Sequence, residues 1–509
     1  MPRCPFPLLL VIGLAACSSD SATTDRVCDP GETQVCLCPN TSASSQVCDS
    51  DGQRWQPCAC GATDGSGDTW SGAPDSVSSE DTSAAEDTLP DTTEPVGKPN
   101  VLLVIADDMG LDAEPCYGLA MLAPNAPNLQ ALCDRGVRFN NAWASATCSP
   151  TRATILTGRY SFRHGITAPI GEVEPLDAAE VTLPQRLGEV GVATANIGKW
   201  HLGGPDGIGD DAPFHFGWDH YEGIFSGAVQ NYWDWTKTVK GGEEPVTEYA
   251  TTVFIDDAIS WVDAQTEPWL LWLAVNAPHS PFHIPPTGLH TNTTLGDPGD
   301  CPNSQRAECH RAAIEALDFE LGRLLNRLED DGRLERTWVI FIGDNGTPPQ
   351  AVMPPVPAGR AKGTVYEGGV RVPMVIAGPD IVSPGRSVDH VVDVSDLFLT
   401  ILELQGGTAD PSVTIDSVSM RPYLVDPAAP PQRETAFTQT LNPNADSDGE
   451  GTAIRDAQYK LIRFESGGEA LYDLDVDPWE ANDLLVTPTL DSPAAYTKLN
   501  DALNALLLP

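Results

Sequence analysis

The feature that most constrains how this chain can fold is a set of short, unbroken apolar runs. Residues 101–106 read VLLVIA, and similar runs occupy residues 269–275 and 338–342. A strand needs apolar side chains at successive positions when both of its faces are buried, as in a parallel sheet covered by helices. Stretches with helical periodicity lie between or beside these runs, at residues 127–136, 183–190 and 309–330. This alternation of strands and helices predicts an α/β core.

The chain changes character along its length, and its 509 residues are too many for a single ordinary core. We predict a main domain at residues 98–426. Beyond it the strand-like segments become shorter, as at residues 459–464, and indicate a smaller C-terminal subdomain at residues 427–509.

The first residues have the pattern of an export signal. The apolar stretch at residues 5–16 is shorter than the roughly 20 residues that a helix needs to span a membrane. It ends in Leu14-Ala15-Ala16-Cys17, which resembles a bacterial lipobox. We therefore expect residues 1–17 to form a lipoprotein signal and the protein to be exported. A lipid on Cys17, its only contact with the membrane, would anchor it at the cell envelope or cell surface, in the periplasm or outer membrane. The alternative is an ordinary secretory signal, which would release the protein and give Cys17 no role.

Two further segments separate this signal from the main domain. Residues 18–60 have almost no apolar core but contain six cysteines, namely Cys28, Cys36, Cys38, Cys48, Cys58 and Cys60. In an oxidising compartment this pattern is typical of a small disulfide-stapled segment, with fifteen conceivable pairings. A zinc knuckle is the alternative, although this segment has no histidine. Residues 61–97 are rich in Ser, Thr, Asp and Glu and predict a disordered acidic linker.

The charge balance excludes one class of partner. The chain has 29 Lys plus Arg and 72 Asp plus Glu, for a net charge of -43. Nucleic-acid binding requires clustered cations against phosphate, so we expect no nucleic-acid partner. The same balance argues only weakly against a polyanionic substrate, because salt screens distant charges and a cleft can be locally basic.

Two acidic turns directly follow two of the apolar runs. The first turn contains Asp107 and Asp108, and the second contains Asp344 and Asn345. Ligands of open α/β sheets bind beyond the carboxyl ends of the strands, so the two turns are expected to converge there. Three carboxylates and one amide oxygen suit a hard cation, Ca²⁺ or alternatively Mg²⁺, because zinc prefers His or Cys. The alternative is that these are ordinary turn residues.

A cysteine motif points to a particular family. Cys148-Ser149-Pro150-Thr151-Arg152, followed by Leu156-Thr157-Gly158-Arg159, resembles the maturation motif of the type I, formylglycine-dependent sulfatases, which include the arylsulfatases. In that family a formylglycine-generating enzyme oxidises the cysteine to formylglycine (3-oxoalanine), whose aldehyde hydrates to a geminal diol. One hydroxyl attacks sulfur and the alcohol leaves; the other loses a proton and expels sulfate, which restores the aldehyde. The alternative for Cys148 is a buried structural thiol.

The resemblance continues over roughly residues 99–485, in the family's order. The other matching segments are Gly198-Lys199-Trp200-His201-Leu202-Gly203, Ala277-Pro278-His279-Ser280-Pro281-Phe282, the loop from Ala361-Lys362-Gly363 to Val372-Pro373, Leu471-Tyr472-Asp473-Leu474 and Asp477-Pro478. The resemblance implies an alkaline-phosphatase-like α/β fold with a large, mostly parallel central sheet and a smaller antiparallel C-terminal subdomain. It also implies that the chain is a sulfuric ester hydrolase acting on a sulfated small molecule or carbohydrate.

The family's residue roles carry over to matching positions. Asp107, Asp108, Asp344 and Asn345 are implied as the metal ligands. Arg152 would hold the formylglycine, and Lys199, Lys362 and the metal would clamp the sulfuryl group. His201 would assist deprotonation of the diol. His279, together with Lys362, would protonate the leaving alcohol.

Several alternatives remain open. A formylglycine-dependent phosphonate monoester hydrolase or phosphodiesterase shares the nucleophile and the metal, and a binding lipoprotein with a decayed site is a rival of another class. Tyr232, Trp233 and Trp235 either stack on a substrate ring or belong to the core. Cys301 and Cys309 are expected to form a disulfide, while a pairing of Cys116 with Cys133 depends on a proximity that the sequence does not give.

Overall fold

The computed structural model describes residues 97–119, 121–203, 208–266, 268–441 and 449–508, together with the backbone of two strands nearer the N-terminus. The chain divides into two units, residues 1–91 and residues 92–509. In the first unit, Thr33–Leu37 (β1) and Ala43–Val47 (β2) pair as antiparallel strands. The predicted signal ending at Cys17, the pairing of the six clustered cysteines and the predicted acidic linker up to residue 96 lie outside the described residues.

The second unit alternates strands and helices along most of its length. Its strands are β3 (Asn100–Asp107), β4 (Gly136–Trp143), β5 (Ala193–Lys199), β6 (His220–Ile224), β7 (Trp235–Val239), β8 (Gly242–Val246), β9 (Trp269–Pro278), β10 (His283–Ile284), β11 (Gly299–Asp300), β12 (Thr337–Gly343), β13 (Met374–Ala377), β14 (Arg386–Asp393), β15 (Ala436–Thr440), β16 (Gly451–Arg455), β17 (Tyr459–Phe464) and β18 (Glu469–Asp473). Its helices are α1 (Pro127–Arg135), α2 (Cys148–Thr157), α3 (Ser161–His164), α4 (Leu183–Gly188), α5 (Ala212–His215), α6 (Ala250–Ala264), α7 (Arg306–Asp330), α8 (Glu367–Val370), α9 (Asp396–Leu404), α10 (Arg421–Val425) and α11 (Ser492–Leu507).

Ten of these strands form one large mixed sheet in the order β14-β4-β13-β12-β3-β9-β5-β6-β7-β8. The central strands β12, β3, β9, β5 and β6 run parallel to one another. Strand β13 runs antiparallel to both of its neighbours, and β7 and β8 add an antiparallel edge. The predicted α/β fold with a mostly parallel central sheet is confirmed.

Helices cover both faces of this sheet, which explains the unbroken apolar runs. Along β3, Leu103 belongs to one core and Leu102 to the other, and both side chains are fully buried. The first core also contains residues of α2, α4 and α9, and the second contains residues of α1, α6 and α7. Because each face of the strand meets its own layer of helices, apolar side chains occupy both faces from Val101 to Ala106.

The start of helix α1 shows how the layers are joined. Its N-cap is Ala126, whose side chain cannot accept a hydrogen bond. Instead, Asp318 of α7 accepts hydrogen bonds from the backbone N–H groups of Leu129 at 2.7 Å and Asn128 at 3.2 Å. A carboxylate at this position also interacts favourably with the positive end of the helix dipole. One buried acid of α7 therefore caps α1, in addition to the apolar contacts between the two helices.

The C-terminal part forms a separate antiparallel sheet, as the resemblance implied. Strands β15, β16, β17 and β18 pair in sequence order, and α11 packs against them through Leu499 and Leu503. Strand β17 has the bounds that the sequence predicted. The boundary between residues 426 and 427 stays a prediction, because residues 92–509 form one compact unit.

Two disulfides stabilise connections in this unit. Cys301 bonds to Cys309, as expected, and Cys116 bonds to Cys133. Among the described cysteines, Cys148 alone is free, and it is buried. No helix in the described part of the chain has the length and apolar character needed to cross a membrane.

Candidate active site

Four neighbouring strands deliver polar residues to one edge of the sheet. Strands β12, β3, β9 and β5 are adjacent and parallel, so their carboxyl ends lie together. Asp108 follows β3, Asp344 follows β12, His279 follows β9, and Lys199 is the last residue of β5. This is the edge at which ligands of open α/β sheets bind.

The two acidic turns do converge there. The backbone N–H of Asp108 donates to Asp344 Oδ1 at 3.0 Å, and Asn345 Nδ2 donates to Asp108 Oδ1 at 2.8 Å. Asp107, Asp344 and Asn345 are fully buried, and Asp108 is 1% exposed. Asp108 adopts the left-handed backbone conformation, with φ of 71°, which turns the chain sharply at the end of the strand.

The oxygen atoms of this cluster suit a hard cation. Asp107 Oδ1 and Asn345 Oδ1 are buried without a hydrogen-bond partner, which is costly unless another group satisfies them. Ligand atoms of Asp107, Asp108 and His279 lie within 4.8 Å of one another, as do those of Asp107, Cys148 and Asp344. Oxygen-rich donors of this kind fit Ca²⁺ or Mg²⁺ better than zinc.

Three cationic side chains surround the carboxylates. Arg152 Nη2 lies 2.8 Å from Asp344 Oδ2 and 4.0 Å from Asp107 Oδ1, and Lys199 Nζ lies 2.7 Å from Asp107 Oδ2. Lys362 Nζ donates to Asp108 Oδ1. Arg152 and Lys199 are fully buried, whereas the Lys362 side chain is 19% exposed. Lys362 is therefore the cation of the three that can also face a substrate.

The environment separates the pKa values of the carboxyl groups. Burial raises the pKa of Asp107 to about 7, although Lys199 opposes the shift. Burial also acts to raise the pKa of Asp344, but Arg152 and Lys199 outweigh it and hold the pKa below its usual range. In Asp108, His279 and Lys362 likewise overcome burial and lower the pKa. The cluster thus concentrates negative charge on Asp108 and Asp344.

Cys148 lies beside this cluster as the first residue of helix α2. Its side chain is 3% exposed, and its Sγ is 3.2 Å from Nδ1 of His201. The next residue, Ser149, donates from Oγ to the backbone carbonyl of His201 at 2.9 Å and accepts from the N–H of Ile170 at 3.1 Å. The N-terminus of a helix favours negative charge, so this position stabilises an anionic side chain.

His201 is held tightly against Cys148. It adopts a positive φ of 54°, and a Cβ placed on Gly227 would lie only 2.7 Å from its Cε1 atom. Burial lowers the pKa of His201 well below its ordinary value, and the nearby Lys199 and Arg152 lower it further. The imidazole is therefore neutral at neutral pH and available to accept a proton.

His279 lies on the other side of the acidic cluster. Its Nδ1 lies 2.6 Å from the carbonyl of Ser280, and since a carbonyl can only accept, Nδ1 carries a proton. Its Nε2 is 3.6 Å from Asp108 Oδ2, and the side chain is 14% exposed. Burial lowers the pKa of His279, although Asp108 and Asp107 oppose that shift.

Every residue that the sequence placed in the site belongs to this one constellation, but some supporting residues were missed. His310 Nε2 lies 3.0 Å from the backbone carbonyl of Asp108, and Tyr232 donates to the carbonyl of His279 at 2.9 Å. Ser149 occupies a motif position and was detectable from the sequence. His310 lies within the amphipathic α7, where no local pattern distinguishes it from a core residue.

The aromatic cluster considered as a stacking platform is mostly core. Tyr232 is 1% exposed and Trp235 is 5% exposed, and Tyr232 stacks on His283 with ring centroids 3.6 Å apart. Trp233 is partly buried against Tyr249 and His283. Tyr232 therefore helps to position His279, through a hydrogen bond to the backbone carbonyl of that residue.

The fold and the site together define a hydrolase of the alkaline-phosphatase-like α/β class. Sequence comparison narrows the class further: the sequence model of the family described as Sulfatase matches residues 99–407. A second, for the C-terminal part of N-sulphoglucosamine sulphohydrolase, matches residues 361–507. The chain belongs to the sulfatase family, a family of sulfuric ester hydrolases, and the resemblance of its motifs to type I sulfatases is confirmed.

Individual proteins are similar over most of the second unit. Human arylsulfatase A is 30% identical over 419 residues, covering 75% of this chain and 77% of that protein. The sulfatase YdeN of Escherichia coli K12 is 27% identical over 384 residues, covering 65% of this chain and 66% of that protein. The solved structure of BT4656 in complex with its substrate D-glucosamine-2-N,6-O-disulfate has a TM-score of 0.65 at 22% identity, covering 80% of this chain and 98% of that one.

Proposed function

We propose that this protein hydrolyses a sulfate monoester with a formylglycine made from Cys148 and a bound Ca²⁺, with Mg²⁺ as the alternative. The observation that carries the proposal is the position of the Cys148 thiol. It is the free cysteine of the described part of the chain, and it lies between a neutral histidine and a cluster of buried oxygen donors. A structural thiol needs neither neighbour.

The residues that would hold the cation are Asp107, Asp108, Asp344 and Asn345. When bound, the cation supplies positive charge that polarises the sulfate oxygens and favours the nucleophile. Arg152 keeps Asp344 ionised and oriented from one side. Lys199 orients Asp107 through its ion pair and opposes the effect of burial on the pKa of that carboxyl. These buried cations therefore pre-organise the charge of the site before substrate arrives.

The hydrated aldehyde at position 148 supplies one hydroxyl to attack sulfur and a second whose deprotonation releases sulfate. His201 is placed to take that proton, because its Nδ1 faces the side chain of residue 148 and its imidazole is neutral. As the proton leaves, the second oxygen forms the carbon–oxygen double bond of the aldehyde, and the bond from that carbon to the sulfate oxygen breaks and frees sulfate. Ser149 holds the backbone of His201 in position for this step.

The opposite side of the site would handle the leaving alcohol. Lys362 and His279 are the partly exposed polar groups there, and both contact Asp108. We assign His279, in its doubly protonated form, as the group that donates from Nε2 to the ester oxygen and, with Lys362, protonates it as the sulfur–oxygen bond breaks. The carboxylates of Asp108 and Asp107 favour that form. Lys362 would also bind a sulfate oxygen.

The substrate class is inferred from the relatives. The solved relative binds a sulfated glucosamine, and the human relative is an arylsulfatase. We propose a sulfated carbohydrate or small molecule, with the ester bound in the cleft beside Lys362.

The proposal is tested on protein in which mass spectrometry of the peptide containing Cys148 has shown oxidation to formylglycine. We expect turnover of sulfate monoesters and a clear preference for them over phosphonate monoesters and phosphodiesters. Cys148→Ser retains one hydroxyl and should therefore become trapped as a sulfate ester, whereas Cys148→Ala should not react. Full activity with an unmodified thiol, or preference for phosphodiesters, would refute the proposal.

We further propose that the protein is exported and held at the cell envelope by a lipid on Cys17, with residues 61–96 as a spacer. The support is the Leu14-Ala15-Ala16-Cys17 sequence followed by an acidic polar stretch. Metabolic labelling with a fatty acid should mark the protein, and Cys17→Ala should abolish the label. Recovery of all the protein in free form with an unlipidated N-terminus would contradict this anchor.

A further inference from the structure

A cleft of about 560 Å³ opens beside the leaving-group side of the site. Asp108 and Lys362 form its inner end, and Phe282, Asn303, Arg306 and Gln350 line its outer part. A substrate whose sulfate reaches Lys362 would extend its alcohol portion along this cleft. The outer residues are therefore positioned to select that portion.

Phe282, Asn303 and Arg306 lie on segments that are joined by backbone hydrogen bonds and a disulfide. Strands β10 and β11 pair with each other, and the backbone N–H of Cys301 donates to the carbonyl of Phe282 at 3.1 Å. The disulfide between Cys301 and Cys309 then ties this loop to the first turns of α7. Because Arg306 begins α7, its backbone is fixed by both the helix and the disulfide.

Arg306 differs from Arg323 and Arg327, two arginines further along the same helix. Arg323 pairs with Asp256 and Glu320, and Arg327 pairs with Asp263 and Asp331. Arg306 instead donates to the side-chain oxygen of Asn303 at 2.7 Å, and its guanidinium lies 5.9 Å from the ring centroid of Phe282.

Within the part of the chain that the structure describes, no carboxylate forms an ion pair with Arg306. Other described arginines, such as Arg311, also lack an ion pair, but Arg306 is the one of them that lines this cleft. Lys362, the other cation of the cleft, is already paired with Asp108. Arg306 therefore offers the cleft a positive charge that is not neutralised by the protein.

We propose that this cleft binds a saccharide that carries a second anionic group, a carboxylate or another sulfate, and that Arg306 pairs with this group. The inference rests on the proposed sulfatase function and narrows its substrate class. A guanidinium can bind either oxyanion through two hydrogen bonds. Because the protein as a whole repels anions, a local cation is needed to hold a second negative charge in the cleft. Asn303 and Gln350 offer amides for sugar hydroxyls, and Phe282 offers an apolar ring.

The test compares three substrates on Arg306→Gln protein with verified formylglycine: a doubly sulfated glucosamine, a singly sulfated disaccharide that contains a uronic acid, and nitrophenyl sulfate. We expect kcat/KM to fall on the order of 10- to 100-fold for the substrate whose second anion is used, mainly through KM, since an ionic hydrogen bond of this kind is lost. Nitrophenyl sulfate has no second anion, so its turnover should change little. The two sugars separate sulfate from carboxylate recognition.

Arg306→Lys should recover part of the loss, and Arg323→Gln, on the same helix but paired elsewhere, should change none of the three rates. A loss of equal size on all three substrates would show a structural role and overturn the proposal, as would an unchanged rate on both sugars. If wild-type protein with verified formylglycine hydrolyses no sulfate ester, the sulfatase proposal fails instead. Calorimetric titration of the two sugars into wild-type and Arg306→Gln protein then still decides whether the anion site exists.

Discussion

Replacing His279 with alanine should slow substrates with poor leaving groups more than substrates with good ones. An alkoxide from a sugar is a strong base and needs a proton as the sulfur–oxygen bond breaks, whereas a nitrophenolate leaves nearly unaided. In the structure, the Nδ1 proton of His279 is committed to the Ser280 carbonyl, so Nε2 is the nitrogen available for the ester oxygen.

The size of the effect follows from what remains after the substitution. A positioned acid is worth on the order of 10² to 10⁴ in rate. Lys362 contacts the same Asp108 carboxylate and has its own exposed face, so it can replace part of the lost proton donation. We therefore expect a loss near the lower end of that range for a sugar sulfate, and a clearly smaller loss for nitrophenyl sulfate.

The assay is steady-state turnover of both substrates by His279→Ala and, as a matched control, by His201→Ala. His201 faces residue 148 and not the leaving group, so its loss should not depend on the leaving group. The double variant His279→Ala with Lys362→Ala should lose more on the sugar sulfate than either single variant. Equal losses on both substrates for His279→Ala would refute the assignment and return this histidine to a sulfate-binding or structural role.

Three other predictions follow from the structure. Gly227→Ala should lower kcat by displacing His201, since the new Cβ would lie 2.7 Å from its ring, while Gly188→Ala, with open space around it, should leave kcat unchanged. Lys460→Met should lower the free energy of unfolding in urea by about 3–5 kcal/mol, because it leaves the buried Glu480 without its ion pair and removes one of the two ion pairs of Glu367, whereas Lys498→Met, at a side chain 58% exposed, should cost at most about 1 kcal/mol. A chelator should lower both the activity and the melting temperature, and added Ca²⁺ should restore both; a melting temperature that the chelator leaves unchanged would contradict a cation at Asp107 and Asn345.

Much of the site was predictable from the sequence because its polar residues directly follow buried strands. An apolar run marks the strand, and the next residue must lie at the sheet edge, so Asp107 and Asp344 could be placed near each other without coordinates. The motif around Cys148 supplied Cys148 and Arg152, and the other matching segments supplied Lys199, His201, His279 and Lys362. An apolar run followed by a polar residue and a short motif both involve neighbouring residues, so they can be read directly from the sequence.

What the sequence did not predict depends on contacts between distant segments. The close approach of Gly227 to His201 and the support of Asp108 by His310 arise from packing between elements that no local pattern connects. The antiparallel direction of β13 is equally hidden, because a short strand buried on both faces is apolar in either direction. The role of Tyr232 was ambiguous for the same reason: an aromatic side chain suits both a core and a substrate cleft.

The loop that carries Lys362 is fastened by residues made much later in synthesis. It leads into Glu367, which is fully enclosed and pairs with Lys460 at 3.1 Å and Arg455 at 3.3 Å. The backbone N–H of Glu367 donates to Glu480, 113 residues further along the chain.

During synthesis, therefore, the loop that carries Lys362 cannot make these contacts until the last strands of the chain have been made. Until then Cys148, which is 3% exposed in the finished fold, has no complete structure around it. Under the proposed maturation of Cys148, the interval between synthesis of helix α2 and synthesis of the C-terminal sheet would be the time in which a modifying enzyme reaches the thiol.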